Sequence, residues 1–274
     1  MSEIPPLMWG YLTVLVFAFG ACVGSFLNVG IYRIPREESV IAPRSHCPQC
    51  GKMIAWYDNI PLVSWLALRA RCRHCGQKIS IRYFLVELLT ALLFLWVWRA
   101  YGVDPRTPVY LLIMAGLVLG TFVDLEHLII PDRVSLGGIA AGLILSPLVP
   151  SLHGVESALE GFKLALIGLA AGAGMLWLVG VLGKLAFKKD AMGLGDVKLL
   201  GGLGALLGWQ AVIFIVMASS LVGSIVGMGM IVAGHKEWQS RVPYGPYLAV
   251  ASVVWILWGF RWWAAYLAWL QPPV

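Results

Sequence analysis

Apolar stretches long enough to cross a lipid bilayer dominate this sequence. A helix needs roughly 17–25 mostly apolar residues to span the hydrocarbon core, and about eight such stretches follow one another along the chain. The chain is 59% hydrophobic and only 12% charged, whereas soluble domains contain about 25% charged residues. These features exclude a soluble protein and predict an all-α polytopic membrane protein. The predicted spans cover residues 9–32, 83–101, 108–125, 133–150, 161–183, 195–209, 211–233 and 245–268.

Basic residues are distributed unevenly over the loops between these spans. Most of the 20 Lys and Arg residues lie in four alternating segments: 33–82, 126–133, 184–198 and 234–243. Cytoplasmic loops are enriched in Lys and Arg, so we expect these segments in the cytoplasm and both termini on the outer side. No cleavable signal peptide is expected, because the N-terminal residues lack a basic region before the first apolar stretch.

The longest polar segment, residues 33–82, contains two Cys-x-x-Cys pairs. The pairs are Cys47 with Cys50 and Cys72 with Cys75, and a glycine follows each pair. Two such pairs supply four thiolates in a tetrahedral arrangement, the usual ligand set of structural zinc. A dithiol redox pair is the alternative, but the reducing cytosol disfavours disulfides. The sequence therefore predicts a structural Zn²⁺ site in a small cytoplasmic insert.

The insert divides the chain into three predicted parts. Residues 1–32 form the first transmembrane span, residues 33–82 the cytoplasmic zinc-binding insert, and residues 83–274 the transmembrane catalytic bundle. The fifth cysteine, Cys22, lies within the first span. We expect it to be a small, buried apolar side chain.

Acidic side chains inside or at the edge of a membrane are rare and cost ~2.5–3.5 kcal/mol at a helix centre. The candidates in this chain are Glu87, Asp124, Glu126, Asp132 and Asp196. The third predicted span runs inward, and Asp124 lies about 15 residues, or roughly 23 Å, along it. Asp196 lies where the chain re-enters the membrane from the cytoplasm. We therefore expect Asp124 and Asp196 at the same depth, on the inner side.

Two carboxylates in a low-dielectric site do not easily ionise together, so they share one proton. The charged member can then act as a general base toward water, while the protonated member polarises a scissile carbonyl, as in aspartic proteases. Asp124 and Asp196 are therefore the predicted catalytic residues. Gly193 and Gly195 would allow a substrate backbone to approach Asp196 closely.

Other interpretations of the acidic residues stay open at this point. Asp196 could cap the start of its helix, and capping explains Asp132 better than catalysis does. Glu87 is expected to be a structural hydrogen-bonding partner in the second span. A second metal site is a further alternative, with His127, Asp124, Glu126 and Asp132 as its ligands.

Several motifs in one order resemble the type 4 prepilin peptidases, the bifunctional leader peptidase/N-methyltransferases of the bacterial inner membrane. The motifs are GSFLNVGIYRIP, CPQC, DNIPLVSWLALRARC, CRHC, DLEHLIIPD and GLGD. The last is shared with the wider GxGD aspartyl proteases. By this resemblance, the catalytic aspartates of the family carry over onto Asp124 and Asp196, and its metal ligands onto the four paired cysteines. One departure from the family pattern is Ala70, at a position where family members often have Gly.

The resemblance implies cleavage of the leader of type IV prepilins or pseudopilins at the cytoplasmic face of the inner membrane. It further implies N-methylation of the new N-terminus with S-adenosylmethionine, although the sequence assigns no residue to that methyl donor. The lipid bilayer is the second expected partner, and no nucleic acid is expected. We expect acidic residues such as Glu37, Glu38 or Glu126 to contact the basic leader. Glycines after Asp196 are expected to leave room for a substrate helix, namely Gly201, Gly202 and Gly204.

Two alternatives come from other functional classes. The first is a proton- or cation-coupled membrane transporter with a zinc-stabilised regulatory insert, in which Asp124 and Asp196 relay protons or bind a cation. Many such transporters are built from inverted repeats, and none is evident in this sequence. The second is a non-catalytic assembly scaffold of the cell envelope.

Overall fold

The computed structural model describes residues 5–188, 192–233 and 243–270. These residues are nearly all helical, and strand-like pairing among them consists of isolated bridges in the insert. The prediction of an all-α membrane protein is confirmed. The helices are α1 (Pro6–Arg33), α2 (Val63–Ala67), α3 (Ile81–Tyr101), α4 (Arg106–His127), α5 (Asp132–Leu148), α6 (Ala158–Phe187), α7 (Leu194–Leu207), α8 (Trp209–Val232), α9 (Gly245–Val254) and α10 (Phe260–Leu270).

Six of the described helical segments are long and apolar enough to cross a membrane, so the chain is a multi-pass membrane protein. The other two predicted spans correspond to α5, with 17 residues, and α7, with 14 residues. A helix of that second length extends only about 21 Å, less than the ~30 Å hydrocarbon core. The six segments are Pro6–Arg36, Ile81–Tyr101, Arg106–His127, Ala158–Ala186, Trp209–Val232 and Gly245–Leu270.

The chain divides into two compact units, Met1–Leu119 (unit 1) and Gly120–Val274 (unit 2). The boundary falls inside α4, at a different place from the boundaries predicted from sequence. Spatial contacts define the units, whereas function defines the three predicted parts, so the functional division stays a prediction.

In unit 1, α1 packs closely against α3. A Cβ atom added to Gly24 would lie only 2.7 Å from the Cα of Glu87, so a glycine is needed at this approach. Trp9 of α1 stacks on Trp98 of α3, with ring centroids 4.9 Å apart. Cys22 is exposed on α1, so the expectation that it is buried is wrong: it lies on the face of the span that turns away from α3.

In unit 2, α7 is enclosed by α5 and α6. Its residues from Leu199 to Leu207 are all buried, as expected of a helix that is apolar on every side. A Cβ atom on Gly204 would overlap the carbonyl oxygen of Gly168 in α6, and one on Gly202 would lie 3.0 Å from the backbone of Gly138 in α5. These glycines therefore let three helices pack closely, and the space expected for a substrate helix is filled by the protein itself.

Candidate active site and metal centre

Asp124 lies in the last turn of α4, and its side chain meets the beginning of α9. The residue is only 5% exposed, and its Oδ2 atom accepts a hydrogen bond of 2.9 Å from the backbone N–H of Gly245. Gly245 is the first residue of α9, so the carboxylate faces the partly positive end of that helix. A Cβ atom on Gly245 would lie 2.8 Å from Oδ2, so only glycine fits without a shift. This contact fixes the orientation of the Asp124 carboxylate.

Asp196 lies in the first turn of α7 and is half-buried. Its carboxylate accepts a hydrogen bond from the backbone N–H of Gly193, the residue that precedes the helix. An acidic side chain that reaches back in this way satisfies one of the free N–H groups at a helix start. The capping interpretation thus describes a real contact of Asp196. It does not explain why a second carboxylate lies nearby.

Asp124 and Asp196 lie in the same part of unit 2, because both are next to turns that contact one residue, Ile130. Ile130, in the loop between α4 and α5, packs against the starts of both α7 and α9. Its side chain would be 3.1 Å from a Cβ atom on Gly195 and 3.3 Å from one on Gly245. Ile130 therefore fills the space beside Gly195. This close packing explains why a glycine is needed here, whereas the sequence predicted close approach of a substrate backbone.

The start of α9 is a part of this site that the sequence reasoning missed. The Tyr244 hydroxyl forms a hydrogen bond of 2.7 Å with the Ser219 hydroxyl of α8, and the next residue, Gly245, donates to Asp124. The signal was present in the sequence as Tyr-Gly-Pro-Tyr, because proline is favoured in the first turn of a helix. A hydropathy profile does not reveal this signal, because it shows residues 245–268 as one apolar span.

The other acidic residues near the site have separate roles. Asp132 is the first residue of α5, but the cap position itself is Pro131, and the Asp132 carboxylate forms an ion pair of 2.8 Å with Lys198. Glu126 and His127 are exposed at the end of α4. The second metal site proposed from these residues is not found, since the four paired cysteines are the one possible metal-binding group among the described residues.

The four predicted metal ligands come together in the insert. The Sγ atoms of Cys47, Cys50, Cys72 and Cys75 all lie within 4.8 Å of one another, and those of Cys47 and Cys75 are 3.9 Å apart. Thiolates at about 2.3 Å from a tetrahedral zinc ion would be separated by nearly this distance. The arrangement fits a metal ion with four sulfur ligands and no open position.

Two similar turns build this cluster. The N–H of Cys47 bonds to the carbonyl of Lys52 at 3.0 Å, and the N–H of Cys72 bonds to that of Gln77 at 2.8 Å. Each turn contains a glycine with φ near +70°, a conformation that other residues rarely adopt. The insert is also braced by Arg73, which holds the pKa of Asp58 below its usual value by hydrogen bonding to its carboxylate. The fold of the insert thus depends on its turns and on the ligand cluster.

The fold and the site define a class: a multi-pass helical membrane protein with two neighbouring carboxylates and a cluster of four cysteines that can bind a metal ion. Residues 18–101 match the bacterial peptidase A24 N-terminal domain, and residues 111–228 match the type IV leader peptidase family. The chain belongs to the type IV leader peptidase family. No solved structure is significantly similar to it.

Relatives of known name are similar over most of their length. The prepilin leader peptidase/N-methyltransferase of Myxococcus xanthus is 42% identical over 233 residues, which cover 85% of this chain and 67% of the relative. The protein of the same name from Aeromonas hydrophila is 40% identical over 277 residues, which cover 92% of each chain. That of Pseudomonas aeruginosa is 37% identical and covers 93% of this chain and 92% of the relative.

Proposed function

We propose that this protein is a prepilin leader peptidase and N-methyltransferase. It cleaves the leader peptide of type IV prepilins or pseudopilins as an aspartyl endopeptidase, with Asp124 and Asp196 as its catalytic residues. The observation that carries the proposal is geometric: Asp124 bonds to the start of α9, Asp196 lies in the first turn of α7, and Ile130 packs against both of these turns. The names of the relatives supply the substrate class.

In the proposed cleavage, the two aspartates hold one proton between them. The ionised carboxylate takes a proton from water, whose oxygen attacks the scissile carbonyl carbon. The protonated carboxyl group donates its proton to the carbonyl oxygen, so that a neutral tetrahedral intermediate forms. The C–N bond then breaks: the departing nitrogen takes up the proton that water had lost, and one hydroxyl group of the intermediate returns a proton to the other carboxylate. The N–H of Gly245 holds one carboxylate in position throughout.

The new N-terminal amine is the proposed substrate of the second reaction. S-adenosylmethionine supplies a methyl group on a sulfonium sulfur. When bound, the donor would transfer this methyl group and leave as a neutral thioether. The amine must therefore be uncharged, so that its lone pair can accept the methyl group, and it must lose a proton afterwards. The task of the protein is to hold this amine near the donor and to keep it unprotonated.

The metal of the insert is proposed to be Zn²⁺ with a structural role. Four thiolates satisfy its tetrahedral preference and leave no position for a reacting water. A segment as short as the insert buries little apolar surface, and a metal ion compensates for that deficit.

We place the protein in the bacterial inner membrane, with both termini outside and the insert in the cytoplasm. This orientation follows from the distribution of basic residues. Three of the basic residues, Lys189, Lys236 and Arg241, lie outside the described part of the chain. A prepilin would then present its basic leader at the cytoplasmic face, where Glu37, Glu38 or Glu126 offer acidic contacts, all of them exposed.

The alternative functions are less well supported. A proton- or cation-coupled transporter is not favoured, because relatives at 37–42% identity are named as peptidases. A non-catalytic scaffold would have no need for two carboxylates that share a half-buried site.

Substitution of Asp124 or Asp196 by Asn tests the proposal. Asn keeps the shape of the side chain but carries no titratable proton, so we expect cleavage of a purified prepilin in detergent to fall by at least about 100-fold. The matched control is Asp132→Asn, which removes an exposed charge from the same unit and should cleave like the wild type. Cleavage products are identified by mass spectrometry. Cleavage by either catalytic variant at the wild-type rate would refute the assignment.

A further inference from the structure

Glu87, a buried carboxylate of unit 1, is not used in the proposed cleavage. It is 8% exposed and lies in the second turn of α3. Its Oε2 atom accepts a hydrogen bond of 2.7 Å from the backbone N–H of Leu62, and the Ser25 hydroxyl also bonds to it. The expected hydrogen-bonding role of Glu87 is therefore present, and it joins α1, α3 and the insert.

Two buried polar atoms near the same turns of α3 have no hydrogen-bond partner. Asn28 is 1% exposed; its Nδ2 atom donates to the carbonyl of Tyr83 at 3.0 Å, but its Oδ1 atom has no partner. The indole Nε1 of Trp65 in α2 is also without a partner, and its ring lies 5.0 Å from that of Phe84. An unsatisfied buried polar group costs roughly 1–3 kcal/mol. Two such groups indicate that a molecule other than the protein chain supplies their missing hydrogen bonds.

The backbone beside these groups is strained. Leu62 has φ 63° and ψ −50°, and the N–H of Val63 bonds to the carbonyl of Pro61 at 2.6 Å. A γ-turn of this hand is rare, and rare backbone conformations concentrate at ligand sites, where the surrounding structure maintains them. Here the Glu87 carboxylate maintains the turn, and the turn leads into the helix that carries Trp65.

These groups specify a complementary ligand. Asn28 Oδ1 requires a donor, Trp65 Nε1–H requires an acceptor, and the Glu87 carboxylate suits a hydroxyl group or a cation. The aromatic rings of Trp65 and Phe84 suit a flat ring system. An adenosine group offers an exocyclic amine, ring nitrogens and ribose hydroxyls, and in S-adenosylmethionine it is joined to a sulfonium cation.

We infer that Asn28, Trp65 and Glu87 form the methyl-donor site and bind S-adenosylmethionine through its adenosine group. The inference rests on the proposed methyltransferase function, and it gives that function a location in unit 1, whereas the two aspartates belong to unit 2. It also gives a role to a buried carboxylate of a membrane helix that the proposed cleavage does not use.

Binding of labelled S-adenosylmethionine to the purified full-length protein tests this site. Trp65→Phe removes only an N–H that has no partner and keeps a ring against Phe84, so it should weaken binding at least tenfold without lowering the melting temperature. Glu87→Gln should also weaken binding at least tenfold. The matched control is Trp98→Phe, because Trp98 Nε1 already donates to Thr13 at 3.2 Å within the protein. This control should bind like the wild type.

The outcomes separate the site from the function. If the wild type binds the donor and Trp65→Phe binds it equally well, the site is wrong while the methyltransferase function stands. If the wild type binds no S-adenosylmethionine yet still cleaves prepilin, the methyltransferase function falls and the site with it. Should Glu87→Gln unfold because the turn at Leu62 is lost, Trp65→Phe decides the question.

Discussion

At the scale of single residues, the insert contains several backbone positions that favour glycine but carry other residues. Arg69 and Ala70 have φ values of 51° and 55°, and Ala70 links the insert by bonding to Trp65 and Ile79. By the resemblance described above, members of the type 4 prepilin peptidase family often have Gly at the position of Ala70. The left-handed conformation supplies the physical reason, because it costs other residues roughly 1–2 kcal/mol. Ala70 therefore lowers the stability of the insert locally and leaves its fold unchanged.

Replacement of Ala70 by Gly should stabilise the insert by up to about 1 kcal/mol. Loss of metal to a chromogenic chelator measures this effect, and the rate should fall up to about fivefold. Ala67→Gly is the matched control: Ala67 lies in the right-handed helix α2, where glycine relieves no left-handed strain and has a lower helix propensity than alanine, so the rate should not fall. Equal effects of the two substitutions would contradict the explanation.

At the scale of elements, α7 positions Asp196 by its packing against α5 and α6. Glycines on each helix remove the side chains that would hold the backbones apart, as in many membrane helix pairs. Gly168 and Gly204 face each other across α6 and α7, and Gly142 of α5 faces Ala205 of α7. These contacts fix the position of a helix of only 14 residues, whose first turn carries Asp196.

The substitution Gly204→Ala should force α6 and α7 apart. We expect overpacking to cost about 1–3 kcal/mol, and displacement of Asp196 by about 1 Å can lower the rate about 100-fold. Gly174→Ala is the control, since a Cβ atom at this position of α6 would meet nothing within 4 Å. Prepilin cleavage and thermal unfolding in detergent measure both effects. Wild-type cleavage by Gly204→Ala would show that α7 tolerates a shift.

At the scale of the whole molecule, hydropathy and motif spacing were sufficient for much of the architecture. Apolar length predicted the helical membrane fold, and Cys-x-x-Cys spacing predicted the cluster of four sulfur atoms. Length alone could not show that α7 is enclosed by protein, since a buried helix and a membrane span are equally apolar. Periodicity also could not find Gly245 or Tyr244, because their roles depend on a backbone N–H and on a contact with Ser219.

The orientation in the membrane is a prediction of the same scale. An epitope tag inserted after Gly154, between α5 and α6, should be accessible to antibody on intact spheroplasts. A tag inserted in the exposed residues 37–39 of the insert should be accessible only after the membrane is permeabilised. The reverse pattern would place the insert, the predicted zinc site and the proposed cleavage outside the cell.

The crowding at the start of α7 also bears on drug resistance. A Cβ atom on Gly193 would lie 3.0 Å from Asp196 Oδ2, and one on Gly195 would lie 3.1 Å from Ile130. An inhibitor bound to this turn would contact positions where a larger side chain would disturb the site. A substitution that weakened binding of the inhibitor would therefore also lower the activity of the enzyme. Escape mutations would therefore have to arise at other positions, where they would weaken binding of the compound less.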